Sequence, residues 1–219
     1  MDRREFLIKS VAASSIIVPQ MVSGFDVSRF ISKVDREKPD SETKSHKEDK
    51  ASESNPNAKE ERFVWLTRRD SGEEFKEIFY ADGKYNFSAY KKFCWIMRDL
   101  RGGDEMIPMD ANLLNIAYKI QNTLLSFDVR KPININSGYR SPKTNANTEG
   151  AAKNSYHLKG RAIDISMEGM DPSLVGYLGV IMAKGGVGFY PMKNFIHLDT
   201  GDKRQWIVNN KNQLKMLDN

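Results

Sequence analysis

The chain has 219 residues, of which 39% are hydrophobic and 10% aromatic, so it is long enough and apolar enough to build a globular core. Its single cysteine excludes an internal disulfide framework and a cysteine-based zinc site. The net charge of +5 suits an anionic polymer, but no basic run is interleaved with aromatic residues, so we expect no nucleic-acid partner.

Residues 1–25 have the layout of an export signal. Arg3 and Arg4 precede a short apolar stretch over 11–18, and the pair is similar to that of a twin-arginine signal. Asp2 stands where such signals usually carry Ser or Thr, so an ordinary amphipathic N-terminal helix is the alternative. The stretch is too short to span a bilayer as a mature helix. We expect export to the periplasm or cell envelope by the twin-arginine route, with membrane contact only through an uncleaved signal.

Residues 26–62 form a polar, charged segment. Acidic and basic residues are nearly balanced there, and apolar residues almost vanish after Val34. Such a segment cannot bury enough apolar surface to offset the entropy lost on ordering. We predict a disordered tether in which His46 is incidental, followed by one folded domain over 63–219.

Apolar periodicity predicts three helices in that domain, over 88–100, 110–127 and 172–184. Ser88 is the expected N-cap of the first helix, and Asp110 stands at the start of the second.

The second half of the domain has a period of two residues, which is typical of half-buried strands. Isoleucine or leucine alternates with other residues around 133–136, 162–166 and 195–199, and Asp82-Gly83 predicts a turn. Helices followed by strands with an intervening helix predict an α+β fold, in which a small, mostly antiparallel sheet has helices packed on one face.

The two histidines outside the tether lie on or beside these strands. His157 precedes the second strand, where Gly160 lets the chain turn back toward Asp164, and alternation places His197 and Asp199 on one face of the third strand. Two imidazoles, one carboxylate and an open fourth position are the ligand set of a catalytic zinc. From the residues alone, metal binding and ordinary hydrogen-bonded histidines both remain open.

The sequence also resembles the LAS metallopeptidases, which include zinc D-alanyl-D-alanine carboxypeptidases and murein endopeptidases and share a fold with the hedgehog signalling domain. The family motif Ser-x-His-x-x-Gly-x-Ala-x-Asp is matched at Ser155, His157, Gly160, Ala162 and Asp164. The segments SGYRSPKTNA and FIHLDTG with Trp206 are similar to its other two motifs, and the likeness runs from about residue 63 to 210.

This resemblance implies a hedgehog-like, DD-peptidase-like fold and one zinc ion bound by His157, Asp164 and His197. It also implies that Arg140 binds a substrate carboxylate or a polarised carbonyl. A planar guanidinium suits that role because it binds carboxylate bidentately. The alternative for Arg140 is a surface arginine in a turn.

The general base is the point at which the sequence departs from the family. Where many members carry Glu, Asp or His just before the third ligand, this chain has Asn194 and Phe195. Asp199 is the nearest carboxylate, and it is either the base or a group that orients the third ligand. Tyr139 and Tyr156 flank motif residues and are candidates for substrate binding, with packing as the alternative.

These inferences predict a zinc-dependent murein endopeptidase that hydrolyses the peptide cross-links of peptidoglycan with a metal-activated water. Its partners would be peptidoglycan peptide stems. The alternative is a non-catalytic module on the same fold that binds wall peptides or regulates another hydrolase. A cysteine hydrolase using Cys94 is a third hypothesis, although its apolar neighbours favour a buried side chain.

Overall fold

The computed structural model describes residues 60–183, 185–209 and 213–217. The predicted signal and nearly all of the predicted tether lie outside these residues and stay predictions. Within the described residues, regular structure begins at Arg62. None of the helices in the described ranges is long and apolar enough to cross a membrane.

Nine strands within the described residues form one sheet in the order β3-β2-β1-β4-β5-β7-β6-β8-β9. They are β1 (Arg62–Arg68), β2 (Glu73–Ala81), β3 (Lys84–Tyr85), β4 (Ile133–Ser137), β5 (Ala162–Ser166), β6 (Gly186–Tyr190), β7 (Phe195–Asp199), β8 (Arg204–Val208) and β9 (Leu214–Leu217). The pairs β1/β4 and β6/β8 are parallel, whereas the other neighbours are antiparallel.

The expected α+β class is confirmed, but the expected small, mostly antiparallel sheet is wrong. The sheet is large and mixed because strands add to both sides of the predicted β4, β5 and β7. The β1–β2–β3 segment extends one side, with the predicted turn at Asp82 and Gly83, and β6, β8 and β9 extend the other.

The helices of the described residues are α1 (Phe87–Ile96), α2 (Asn112–Leu125), α3 (Pro142–Ala146) and α4 (Pro172–Met182). The N-cap of α1 is Asn86 and not the predicted Ser88, because the Asn86 side chain accepts hydrogen bonds from the amides of Ser88 and Ala89 at 3.0 and 3.2 Å. Asp110 precedes α2 and accepts from the Asn112 amide at 2.9 Å. The short α3 was not predicted.

The hydrophobic core lies between α1, α2 and α4 and one face of the sheet. Ile163 and Ile165 of β5 and Ile196 and Leu198 of β7 are at most 1% exposed, and they belong to this core. Because side chains alternate along a strand, the polar residues between them point to the other face. That second face carries the candidate site.

Candidate metal centre

Two paired strands and one tight turn bring the predicted histidines and aspartate together. Asp164 on β5 is the direct antiparallel partner of His197 on β7, so both side chains leave the same face of the sheet. His157 lies in a one-turn 3-10 helix over Tyr156–Lys159, which ends at Gly160 with a left-handed φ of 63°. Glycine suits this position because the conformation is strained for other residues.

Three acceptor atoms converge at the centre of this site. His157 Nε2 lies 3.2 Å from Asp164 Oδ1 and 3.1 Å from His197 Nδ1, and His197 Nδ1 lies 2.9 Å from the same carboxylate oxygen. All three side chains are buried. Atoms at these separations share a point about 2 Å from each, which is the distance at which zinc binds imidazole nitrogen and carboxylate oxygen.

The outer contacts of each imidazole fix its proton away from that point. His157 Nδ1 donates to the carbonyl of Gly138 at 2.6 Å, which leaves the lone pair of Nε2 facing the cluster. His197 Nε2 donates to Asp199 Oδ2 at 3.0 Å, which directs Nδ1 to the same place. Lone pairs that face each other repel, so a proton or a metal ion between them stabilises the cluster. The donor set therefore fits a divalent metal.

The ionisation of these groups follows from burial and mutual contact. Burial lowers the pKa of His157 and favours its neutral form. Burial also acts against charge on the other two groups, but the hydrogen bonds of Asp164 to the imidazoles, His157 first, hold its pKa well below the usual range. The bonds of His197 to Asp164 and Asp199 likewise outweigh its burial and raise the pKa of His197.

Arg140 borders the centre through Asp164. Its Nη2 donates to Asp164 Oδ2, and its Nε donates to Ser137 Oγ at 2.8 Å. Within the described part of the chain, Nη1 has no hydrogen-bond partner and remains available to a substrate oxygen. The arginine lies between β4 and α3 and is 91% buried, so the alternative of a surface arginine in a turn does not describe it.

Asp199 is completely buried, on the far side of the His197 ring from the cluster. Its Oδ1 accepts from the amides of Gly186 and Gly201 at 2.9 and 2.8 Å, and Arg204 Nη2 donates to Oδ2 at 2.7 Å. Burial acts to raise the pKa of Asp199, but these donors and His197 hold it well below its usual range. This geometry favours the orienting role over the role of base, because the carboxylate has no open path to a substrate.

The two tyrosines beside the motifs are held in packing contacts. Tyr139 is 6% exposed within the core, and burial and nearby Glu105 and Asp99 raise its pKa. The Tyr156 ring fills the space above Gly201, where an added Cβ would lie 2.2 Å from the ring, and the Arg204 guanidinium lies 5.2 Å from its centroid. Both environments favour packing over substrate binding.

Cys94 is 5% exposed in the core, and its Sγ accepts the Met109 amide at 3.4 Å. This setting lacks the access and the positive surroundings that a reactive thiolate needs.

Sequence reasoning missed the Gly138 carbonyl, which accepts from His157, and Arg204, which donates to the Asp199 partner of His197. The available signal was the glycine-rich run at the start of β6. An added Cβ at Gly186 would lie 2.6 Å from Asp199 Oδ2 and 2.7 Å from Arg204 Nη1, so only glycine leaves room for this ion pair.

Comparison with known proteins agrees with this geometry. Residues 56–206 match the family model described as Peptidoglycan L,D-endopeptidase MepK. The chain is 37% identical over 149 residues to the Peptidoglycan L,D-endopeptidase MepK of Escherichia coli (strain K12), covering 66% of this chain and 80% of that protein. It is 38% identical over 149 residues to the Probable peptidoglycan L,D-endopeptidase MepK of Haemophilus influenzae, covering 66% and 78%. No solved structure matches the chain.

Proposed function

The chain belongs to the family of the MepK peptidoglycan L,D-endopeptidases, among the LAS metallopeptidases that its motifs resemble, and we propose that it cuts an L,D peptide bond in peptidoglycan cross-links with one zinc ion. The observation that carries this proposal is the convergence of His157 Nε2, His197 Nδ1 and Asp164 Oδ1 within 3.2 Å of one another. Two nitrogens and one carboxylate oxygen leave a fourth position open, as catalytic zinc requires.

His157, Asp164 and His197 would hold the ion. When bound, zinc acts as a Lewis acid and makes water a nucleophile at neutral pH. The protein keeps both imidazoles in the tautomer that presents a lone pair to the site, through the Gly138 carbonyl and the Asp199 carboxylate. Asp199 is therefore proposed as a positioning residue.

Arg140 is proposed to bind the substrate. Its Nε and Nη2 are held by Ser137 and Asp164, which fixes the plane of the guanidinium and aims the remaining Nη1 donors. A fixed cation of this kind stabilises an adjacent carboxylate, or negative charge that develops on a carbonyl oxygen, without reorganising.

The names of the relatives specify an L,D bond. A direct cross-link between two diaminopimelate residues joins an L centre to a D centre, whereas the link from D-alanine to diaminopimelate joins two D centres. We therefore propose the direct link as the scissile bond. The same names indicate a substrate outside the cytoplasm, so the chain would be exported, with residues 1–25 as a twin-arginine signal.

The proposal is tested by incubating the purified chain with isolated muropeptides that carry each type of cross-link. The expected result is cleavage of the direct link to monomers identified by mass, loss of cleavage after chelation, and recovery on adding zinc. His157→Ala, which removes one ligand, should abolish both zinc uptake and cleavage. Cleavage that persists in the metal-free protein or in this variant would contradict the mechanism.

A further inference from the structure

Tyr190 lies on the face of the sheet that carries the candidate metal centre, and it is beside that centre. In β6, Gly188 is the direct partner of His197, and Tyr190 is the next residue along β6 on that face. The other neighbour of Gly188 is Trp206 of β8. An added Cβ at Gly188 would lie 2.8 Å from Trp206 Nε1, so the indole N–H occupies the space directly next to His197.

The phenol of Tyr190 is held in place by two aromatic side chains. Trp206 Nε1 donates to Tyr190 Oη at 3.1 Å. Since the same Nε1 lies 2.8 Å from the position of a Cβ at Gly188, the Tyr190 oxygen lies within about 6 Å of that position. Phe195 stacks on the Tyr190 ring with centroids 4.4 Å apart and an interplanar angle of 13°. Trp206 in turn contacts the His197 ring, with centroids 5.3 Å apart. Packed aromatic rings therefore hold the Tyr190 hydroxyl beside the candidate metal centre.

The contact with Trp206 decides what the Tyr190 hydroxyl can do. Its oxygen accepts the indole proton, and in the described part of the chain its own proton has no acceptor. Burial raises the pKa of Tyr190, and the charge of Asp164 acts in the same direction, so the phenol keeps its proton at neutral pH. The residue is only half-buried, so part of its side chain can meet a substrate.

We propose that Tyr190 donates a hydrogen bond to the carbonyl oxygen of the scissile peptide bond, on the side of His197 that faces β6. This inference rests on the proposed function and adds a residue to it. The carbonyl oxygen gains negative charge during attack, so a donor held ready there strengthens its bond in the transition state. Tyr139 and Tyr156, the tyrosines beside the motifs, are engaged in packing instead.

The test compares the full-length chain with Tyr190→Phe, and with Tyr90→Phe as the matched control. Tyr90 also makes a hydrogen bond through its hydroxyl, to the Met109 carbonyl at 2.8 Å, but it belongs to α1. Three quantities are measured for each protein: bound zinc, kcat and KM on directly cross-linked muropeptide, and the affinity for a phosphinate analogue in which a tetrahedral phosphorus replaces the scissile carbonyl.

For Tyr190→Phe we expect unchanged zinc content, a kcat lower by about a hundredfold, a nearly unchanged KM, and phosphinate binding weaker by at least about tenfold. Tyr90→Phe should match the unmodified chain in all three measurements. A kcat within about threefold of the unmodified chain, or a higher KM with unchanged kcat, would overturn the assignment, because the latter indicates a contact made equally in the ground state. If the unmodified chain cleaves no cross-link, the proposed function fails, and phosphinate binding alone then decides the role of Tyr190.

Discussion

Replacing Asp199 with Asn separates its two possible roles. The Asn side-chain oxygen can still accept from the amides of Gly186 and Gly201, as Oδ1 does at 2.9 and 2.8 Å. Its amide group then takes the place of Oδ2 and meets two donors, His197 Nε2 and Arg204 Nη2. Two donors facing an NH2 group are unfavourable, so His197 is expected to change tautomer and place its proton on Nδ1, which faces the metal position.

The size of the effect follows from these contacts. Loss of such an outer partner typically weakens metal binding by about 10- to 100-fold, which is about 1.4 to 2.7 kcal/mol. The lost charge-assisted bond from Arg204 should lower the free energy of unfolding by about 1.5 to 3 kcal/mol. If Asp199 only orients His197, a saturating zinc concentration should restore most of the activity.

The assay is a titration of zinc against a competing chelator, followed by activity as a function of zinc concentration. The control is Asp171→Asn, because Asp171 caps α4 through a bond from the Ser173 amide at 2.7 Å and Asn is an equally good N-cap. An Asp199→Asn protein that binds zinc with unchanged affinity but stays inactive at saturation would refute the orienting role and support the base.

Other predictions test the protons and the packing around the site. Contacts with Asp164 and Asp199 raise the pKa of His197. At a pH below that pKa, metal binding must displace a proton from His197, so the zinc affinity should rise with pH. Calorimetry in buffers of different ionisation enthalpy should detect about one proton released, and an affinity that does not vary between about pH 5.5 and 7.5 would contradict this. At Gly138 an added Cβ would lie 2.3 Å from the Met97 carbonyl oxygen. Gly138→Ala should therefore lower the free energy of unfolding by roughly 1 to 3 kcal/mol and weaken zinc binding. An unchanged urea denaturation curve would refute the clash. Arg204→Ala should lower the unfolding free energy by about 1.5 to 3 kcal/mol, measured by the same method, because it removes the cation paired with the buried Asp199.

Local periodicity predicted the elements whose apolar residues repeat at the spacing of a helix or a strand. The helix α2 and the strands β4, β5 and β7 repeat their apolar residues at the expected spacing, and each is present in the structure. The sequence pattern missed β6, because its glycines lower the propensity for a strand. Those glycines are required by neighbours distant in the chain: Trp206 fills the space above Gly188, and the Asp199–Arg204 pair fills that above Gly186.

The candidate site likewise combines features that local patterns predict with features that depend on contacts in the folded chain. Alternation alone was enough to place Asp164 and His197 on polar strand faces, and the motif spacing identified His157 as their companion. The direction of the proton on each imidazole was not readable from the sequence, because it depends on the Gly138 carbonyl and the Asp199 carboxylate at 2.6 and 3.0 Å. The role of Asp199 stayed open for the same reason.

The sequence by itself determined which residue types were available to bind a metal and the strands that carry them, because strand alternation and motif spacing are properties of neighbouring residues. Tertiary structure alone decided what each group faces. The Gly138 carbonyl that accepts from His157, the contact of Asp164 with His197, and the indole that donates to Tyr190 all join residues from different parts of the chain. Such contacts depend on distances between residues far apart in the chain, and no local pattern encodes them.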